Sequence, residues 1–222
     1  MCGRYTQTSQ LSELIETYEI DEVLLEEMVG TSFNVAPSQV APVVYFRQKR
    51  VLHPLHWGIQ PAWARPGARR LINARSETVR EKASFRGLVE THRCLVPAAG
   101  FYEFQSNPGG RKTPHYFTAA NGEPISFAGL WEESGEVGCF TILTTGANEE
   151  VSRLHDRMPV ILEKADGTDW LNPTLSPGRF SELIRPRPNG YFAVHPVSTR
   201  VNSPAHNGPE LILPEPRQEF LF

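Results

Sequence analysis

Apolar residues recur at Leu11, Leu14, Ile15 and Tyr18. That i, i+3, i+4, i+7 spacing after Thr8-Ser9 predicts an amphipathic helix with an acidic outer face. A short helical turn is expected through Val23-Leu24-Leu25. From there the period changes. Short runs rich in β-branched and aromatic residues occupy 40–46, 51–57, 94–97, 101–105, 115–119, 125–131, 139–144, 158–162 and 191–194, and each reads as a strand. Short helices are expected at 149–154 and 179–184. Strands and helices do not alternate as a parallel α/β sheet requires. The expected fold is therefore α+β: a single domain spanning 1–222, with a curved, mainly antiparallel, barrel-like sheet flanked by short helices. Residues 213–222 are expected to form a surface tail.

Composition narrows this picture. The 222 residues include 17 glycines and 19 prolines, above the usual combined share of roughly 12%. They punctuate the strands and leave little room for long helices. Hydrophobic residues make up 40% and charged residues 21%, which supports a real core and excludes a disordered chain. No run approaches the roughly 20 apolar residues of a membrane span. The first six residues have no apolar segment of the secretory kind. Cys2, Cys94 and Cys139 show no metal-ligand spacing and are odd in number, which favours a reducing, cytoplasmic setting, with nucleoid association if the source is bacterial.

The formal net charge of −3 argues mildly against a nucleic-acid partner, but the charge is unevenly distributed. Residues 1–46 carry one base and seven acids, residues 47–93 eleven bases and three acids, and residues 94–222 ten bases and fifteen acids. Half of the positive charge thus lies in one short segment. That segment also holds Trp57 and Trp63, and aromatics interleaved with arginines suit single-stranded nucleic acid, whose bases stack while its phosphates meet guanidinium groups. Two half-buried tryptophans on a proline-containing loop would read the same way. If the segment does meet DNA, it should form one basic groove leading to Cys2.

Other residues carry candidate chemistry. Once Met1 is removed, Cys2 would present an amine and a thiol on one residue. Such a 1,2-aminothiol condenses with an aldehyde and closes a thiazolidine ring. An N-terminal Cys with no role is the plainer reading. Cys94 and Cys139 fall in strand-like runs and are simplest as core residues. Asn73 and Arg75 could hold a polar ligand, or mark a strand end before a helix capped by Ser76 or Thr78. Glu103, two residues from Phe101 in an aromatic strand, shares its face; if that face is inward, burial raises its pKa and suits it to proton transfer. His155 titrates near neutral pH, and Arg157 can donate to phosphate, although a lone His is often structural.

Taken in order, these stretches resemble one family. They are Met1-Cys2-Gly3-Arg4-Tyr5, Phe33-Asn34-Val35-Ala36-Pro37-Ser38-Gln39, Trp57-Gly58-Ile59-Gln60-Pro61, Ile72-Asn73-Ala74-Arg75-Ser76-Glu77-Thr78, Arg93-Cys94-Leu95-Val96-Pro97-Ala98, Gly100-Phe101-Tyr102-Glu103 and His155-Asp156-Arg157-Met158-Pro159. The set, from Cys2 to about Val201, strongly resembles the SOS response-associated peptidase (SRAP) family. The resemblance implies a sensor of abasic sites in single-stranded DNA that links to them covalently through Cys2, with Asn73, Glu103 and His155 completing the site. It places Arg4, Asn34, Trp57, Arg75 and Arg157 around the DNA, and Trp63 and Phe104 are expected there too. The family commonly has Trp where this chain has Phe104, which keeps an aromatic face but loses an N–H donor. Autoproteolytic release of Cys2 and lyase activity on abasic DNA are also implied. No metal or organic cofactor and no membrane partner is expected, and a monomer is. Two other classes remain open: an N-terminal-nucleophile hydrolase acting on amides, and a non-catalytic single-strand-binding module.

Overall fold

In the computed structural model, residues 2–215 are described except 62, 66, 108, 111 and 136. Met1, whose removal the resemblance requires, and the tail from 216 onward lie outside the described residues. The chain begins with β1 (Tyr5–Gln7), α1 (Leu11–Tyr18), β2 (Glu22–Val23) and β3 (Ser32–Val35). Next come β4 (Val40–Arg47), β5 (Lys49–Trp57), β6 (Asn73–Arg75), α2 (Arg86–Thr91), β7 (Arg93–Ala98) and β8 (Gly100–Ser106). They are followed by β9 (Lys112–Ala119), β10 (Ile125–Glu132), β11 (Cys139–Gly146), α3 (Glu149–Ser152), β12 (Arg157–Pro159) and β13 (Ile161–Leu162). α4 (Lys164–Leu171), α5 (Pro177–Leu183) and β14 (Phe192–Pro196) come next, and a C-terminal segment with 3-10 turns at Thr199–Asn202 and Pro209–Ile212 follows.

The strands form two sheets. One runs β14-β9-β8-β1-β3; the other runs β12-β11-β10-β7-β4-β5-β2, with β13 on β10 and β6 on β11. The larger sheet curls until β5 meets β11 in a short parallel pairing, His56↔Cys139 and Trp57↔Phe140. The α+β class and the curvature expected from the sequence are both present.

The larger sheet is covered on both faces, which explains its continuous apolar runs. Successive residues go to opposite sides. Cys94 and Val96 of β7 and Phe127 of β10 enter the core that also holds Cys2, Tyr5, Trp57 and Phe101. Leu95 and Ala128 instead pack with Leu14, Trp170 and Phe180 beneath the helices. A third cluster, Tyr102, Tyr116, Val197, Val201 and Leu211, lies behind β8 under the C-terminal segment.

Some elements depart from expectation. The run 158–162 is two strands, because the chain leaves β11 after Pro159 and joins β10 at Ile161. Residues 22–23 pair with β5, and Leu24 N–H donates to Leu52 O; the helical turn falls later, at Glu26–Met28. After β6 the chain makes a ladder of turns through 76–85, and helix begins only at Arg86. Of the tail, Pro214 still bridges Val197 and Glu215 N–H donates to Pro196 O. Among the described residues, no helix is long and apolar enough to cross a membrane.

Candidate active site

The N-terminal segment is laid along β8. Tyr5 pairs with Phe101 and Thr6 with Gly100, and Tyr102 N–H donates to Arg4 O at 3.0 Å. On the other edge of β8, β9 comes close at Gly100, where a Cβ would lie 2.4 Å from Phe117 O and 2.6 Å from the Tyr116 ring. Glycine is needed there for lack of space. Cys2, just ahead of β1, is fully buried (0% exposed) in the core that both sheets enclose. Burial, reinforced by the nearby Glu103 carboxyl, pushes its thiol well above the ordinary value, while the Arg4 backbone N–H pulls the other way. The thiol is therefore protonated at neutral pH.

Strand alternation settles the orientation of Glu103. Phe101 enters the central core, Tyr102 packs behind the sheet, and Glu103 points inward with only 2% exposure. Burial raises its pKa, and the Asp156 carboxylate adds to the effect. A carboxyl so raised exchanges protons closer to neutrality than an ordinary one.

Asn73 and His155 come from opposite sides of β11. β6 runs parallel to β11, with Asn73 opposite Ile142 and Arg75 opposite Thr144. β12 runs antiparallel on the other edge, with Arg157 opposite Gly146. Asn73 Nδ2 donates to Cys2 O at 2.8 Å. Its Oδ1 is buried and accepts no hydrogen bond among the described residues. His155 follows α3 and is held by its N–H to Val151 O at 2.9 Å. Its Nδ1 accepts the Arg157 backbone N–H at 2.9 Å, and Asp156 Oδ1 lies 2.9 Å from that same nitrogen. One nitrogen cannot accept from Arg157 and donate to Asp156 at once. The Arg157 backbone N–H makes a hydrogen bond to Nδ1, which is therefore the acceptor; burial favours the neutral ring, and its one proton then sits on Nε2.

The residues expected around DNA divide. Trp57 (0% exposed) and Asn34 (1% exposed) are both buried in this structure. Trp57 packs edge-on against Tyr5, and its Nε1 donates to Ile72 O at 2.8 Å, anchoring the strand that carries Asn73. Asn34 accepts from Arg4 Nη1 at 2.8 Å and donates to Val201 O, Ser203 O and His206 O. Arg4 also donates to Val201 O and Asn202 O, so its guanidinium ties the N-terminal strand to the C-terminal segment. Phe104 is half-buried against the Tyr102 cluster. Arg75 is exposed, and Trp63 is 71% exposed on the excursion closed by the Ile59↔Leu71 bridge. Gly58, at φ +124, turns the chain into that excursion; a Cβ there would lie 2.8 Å from Arg70 Cβ. Arg157 forms a fork with Glu77, Nη1 to Oε1 at 2.6 Å and Nη2 to Oε2 at 2.8 Å, and Nη2 also reaches Thr144 O at 2.6 Å. Glu77 is the functional neighbour that sequence reasoning passed over. It stands inside a quoted motif, but nothing local shows a partner eighty residues away.

The basic stretch does not stay together as one free charge. Arg47, Lys49 and Arg50 pair with Glu133, Glu22 and Glu19 around the β4–β5 hairpin. Arg93 is buried, donating to Trp170 O, Val89 O, Glu90 O and Asn172 O. Arg80 lies over the Phe180 ring. Arg70 and Arg75 remain beside Asn73 in the chain, with Trp63 and Arg65 on the preceding excursion. A cleft of about 690 Å³ lies elsewhere, bordered by α1 and α4; Arg50 lines it, but Cys2, Asn73, Glu103 and His155 do not.

A family model described as SOS response associated peptidase (SRAP) matches residues 1–204. The abasic site processing protein YoqW of Bacillus subtilis is 38% identical over 221 residues, covering 96% of this chain and 99% of its own. The abasic site processing protein YedK of Escherichia coli is 32% identical over 226 residues, covering 96% and 100%. The abasic site processing protein HMCES of Gallus gallus is 35% identical over 234 residues, covering 87% and 69%. A solved protein from Bacteroides thetaiotaomicron has the same fold, with a TM-score of 0.84 at 23% identity and coverage of 96% and 100%. The family match over nearly the whole chain, joined to relatives of this identity and coverage, shows that the chain belongs to the SOS response-associated peptidase family.

Proposed function

We propose that this protein processes abasic sites in single-stranded DNA by forming a covalent bond through Cys2. The observation that carries this reading is the convergence on Cys2 of Asn73, hydrogen-bonded to its carbonyl, and the inward carboxyl of Glu103.

Removal of Met1, by autoproteolysis or a cellular aminopeptidase, frees the Cys2 amine. The sugar left by base loss is mostly a closed hemiacetal. His155, with its proton on Nε2, donates a hydrogen bond to the ring oxygen as the ring opens to an aldehyde. The amine adds to C1′ and water leaves, giving an imine. The Cys2 S–H then adds across the C=N bond: sulfur bonds to carbon, and the proton ends on nitrogen. The product is a thiazolidine, and only water has been lost. Glu103 passes protons between the amine, the departing water and the thiol. The high pKa of the thiol suits this order, because the amine attacks first and the thiol closes the ring within the same residue, where effective concentration is high. Asn73 Oδ1 is available to accept from the freed amine and orient it. Lyase activity would require the imine to lose the 3′ phosphate by β-elimination before the ring closes. Trp63 and Arg75 provide a stacking face and a phosphate contact at the surface.

The test uses a single-stranded oligonucleotide bearing one abasic site, after intact mass has confirmed that Met1 is absent. A denaturing gel should show a shifted band for wild type and none for Cys2→Ala. No shift from wild type with a free Cys2 sinks the proposal. Hydrolysis of amide substrates by that same sample would point instead to an N-terminal-nucleophile hydrolase, and salt-sensitive binding without any adduct to a plain binding module.

A further inference from the structure

We propose that Glu77 is a positioning residue for the reaction: its carboxylate holds the Arg157 guanidinium so that the Arg157 backbone N–H stays on His155 Nδ1 and the ring keeps its proton on Nε2. This rests on the role given to His155 above.

The geometry forms a continuous chain of contacts. Ser76 N–H donates to Thr144 O, which fixes the turn after β6 against β11. From that turn the Glu77 carboxylate meets both terminal nitrogens of Arg157 at 2.6 and 2.8 Å. Arg157 Nη2 donates to Thr144 O on the way, so the side chain spans the end of β11 between the two strands that carry the candidate groups. Arg157 N–H in turn donates to His155 Nδ1 at 2.9 Å. A bidentate fork fixes both distance and plane. It holds the segment of Asn73 and the segment of His155 at one separation, although β6 and β12 touch only through β11.

The fork also changes the reading of Arg157. Two Nη1 and Nη2 donors go to Glu77 and one to Thr144 O, while Nε is buried without a hydrogen bond among the described residues. Of the five N–H donors, that leaves Nε and one on Nη1 for any other partner. The arrangement that competes is also in place. Asp156 Oδ1 stands 2.9 Å from His155 Nδ1 and would accept a hydrogen bond from an Nδ1–H ring if Arg157 N–H moved away. Such a ring would turn a bare Nε2 toward the substrate and lose its donor. Among the described residues, the charged groups acting on His155 are Asp156 and Arg157, beside it in sequence, and Asp156 acts on Glu103 as well.

The experiment compares wild type with Glu77→Ala and Glu77→Gln. Long-range 1H–15N correlations of the imidazole, read without DNA at neutral pH, should show His155 as the Nε2–H tautomer in wild type. In Glu77→Ala that signature should become averaged or move toward Nδ1–H. In the adduct assay, the rate constant at saturating abasic DNA should fall about tenfold in Glu77→Ala, while affinity for intact single-stranded DNA changes less than about twofold. Glu77→Gln, which keeps one acceptor, should fall between. Unchanged thermal unfolding checks that the half-exposed site is not needed for folding. An unaltered tautomer in Glu77→Ala overturns the inference. So does a loss confined to affinity, which would make Arg157 a phosphate ligand. If wild type forms no adduct, the abasic reading fails, and the tautomer signature alone judges Glu77.

Discussion

Two polar regions flank Cys2, and they differ in what their side chains have left to give. On one side, Arg4 and Asn34 spend their hydrogen bonds on each other and on the backbone of Val201, Asn202, Ser203 and His206. On the other, Asn73 keeps a buried oxygen with no hydrogen bond among the described residues, and Arg75 projects from the surface. All four stand in motifs that the family resemblance sets at or around the site. A polar residue held in a motif can serve the fold or the substrate. The difference lies in whether protein partners exhaust its donors and acceptors.

Substitutions should separate the two regions. The largest effect belongs to neither: Cys2→Ala should abolish the denaturant-resistant adduct while leaving DNA binding measurable in a mobility-shift assay. On the structural side, Asn34→Ala should cost about 2–4 kcal/mol of stability, because it strands three carbonyls and the Arg4 guanidinium. Calorimetry should show the melting temperature falling by roughly 2–4 °C for each kcal/mol lost. An Asn34→Ala protein that melts like wild type but binds DNA weakly would reverse the assignment. On the open side, Trp63→Ala should weaken binding to single-stranded DNA by about 1–3 kcal/mol, the loss of one stacking face, with no change in melting. The smallest effect is expected for Arg75→Ala. Titrations over a salt series should show a slope reduced by about 0.7, the value for one phosphate contact on a single strand. A drop in melting temperature with an unchanged salt slope would move Arg75 to the structural side.

Trp57 shows where local reading stops. It sits in a basic, aromatic stretch that suggests stacking on bases, yet its indole is fully buried and serves the backbone at Ile72. Nothing in the stretch 57–63 distinguishes it from Trp63, which is exposed. The difference arises because β5 ends at Trp57, still paired with β11, and Gly58 then turns the chain outward. β1, β3 and β6 escaped the strand reading because they are three or four residues long and mixed in polarity. They are held by their neighbours, so propensity carries little information there. Glu103 was more legible. Once β8 was recognised, the period of two put Glu103 on the face of Phe101, and only the direction of that face was open.

The sequence by itself determined the α+β class, the amphipathic α1, the longer strands and, through its motifs, the family and the residues around Cys2. These follow from local periodicity and from residue types that chemistry constrains at short range. Tertiary structure decided which polar groups stay open. It buried Asn34 and Trp57, divided the basic stretch among separate ion pairs, and joined Glu77 to Arg157 across β11. Those outcomes depend on partners far apart in the chain. A hydrogen bond between residues eighty positions apart leaves no trace in the spacing of either one.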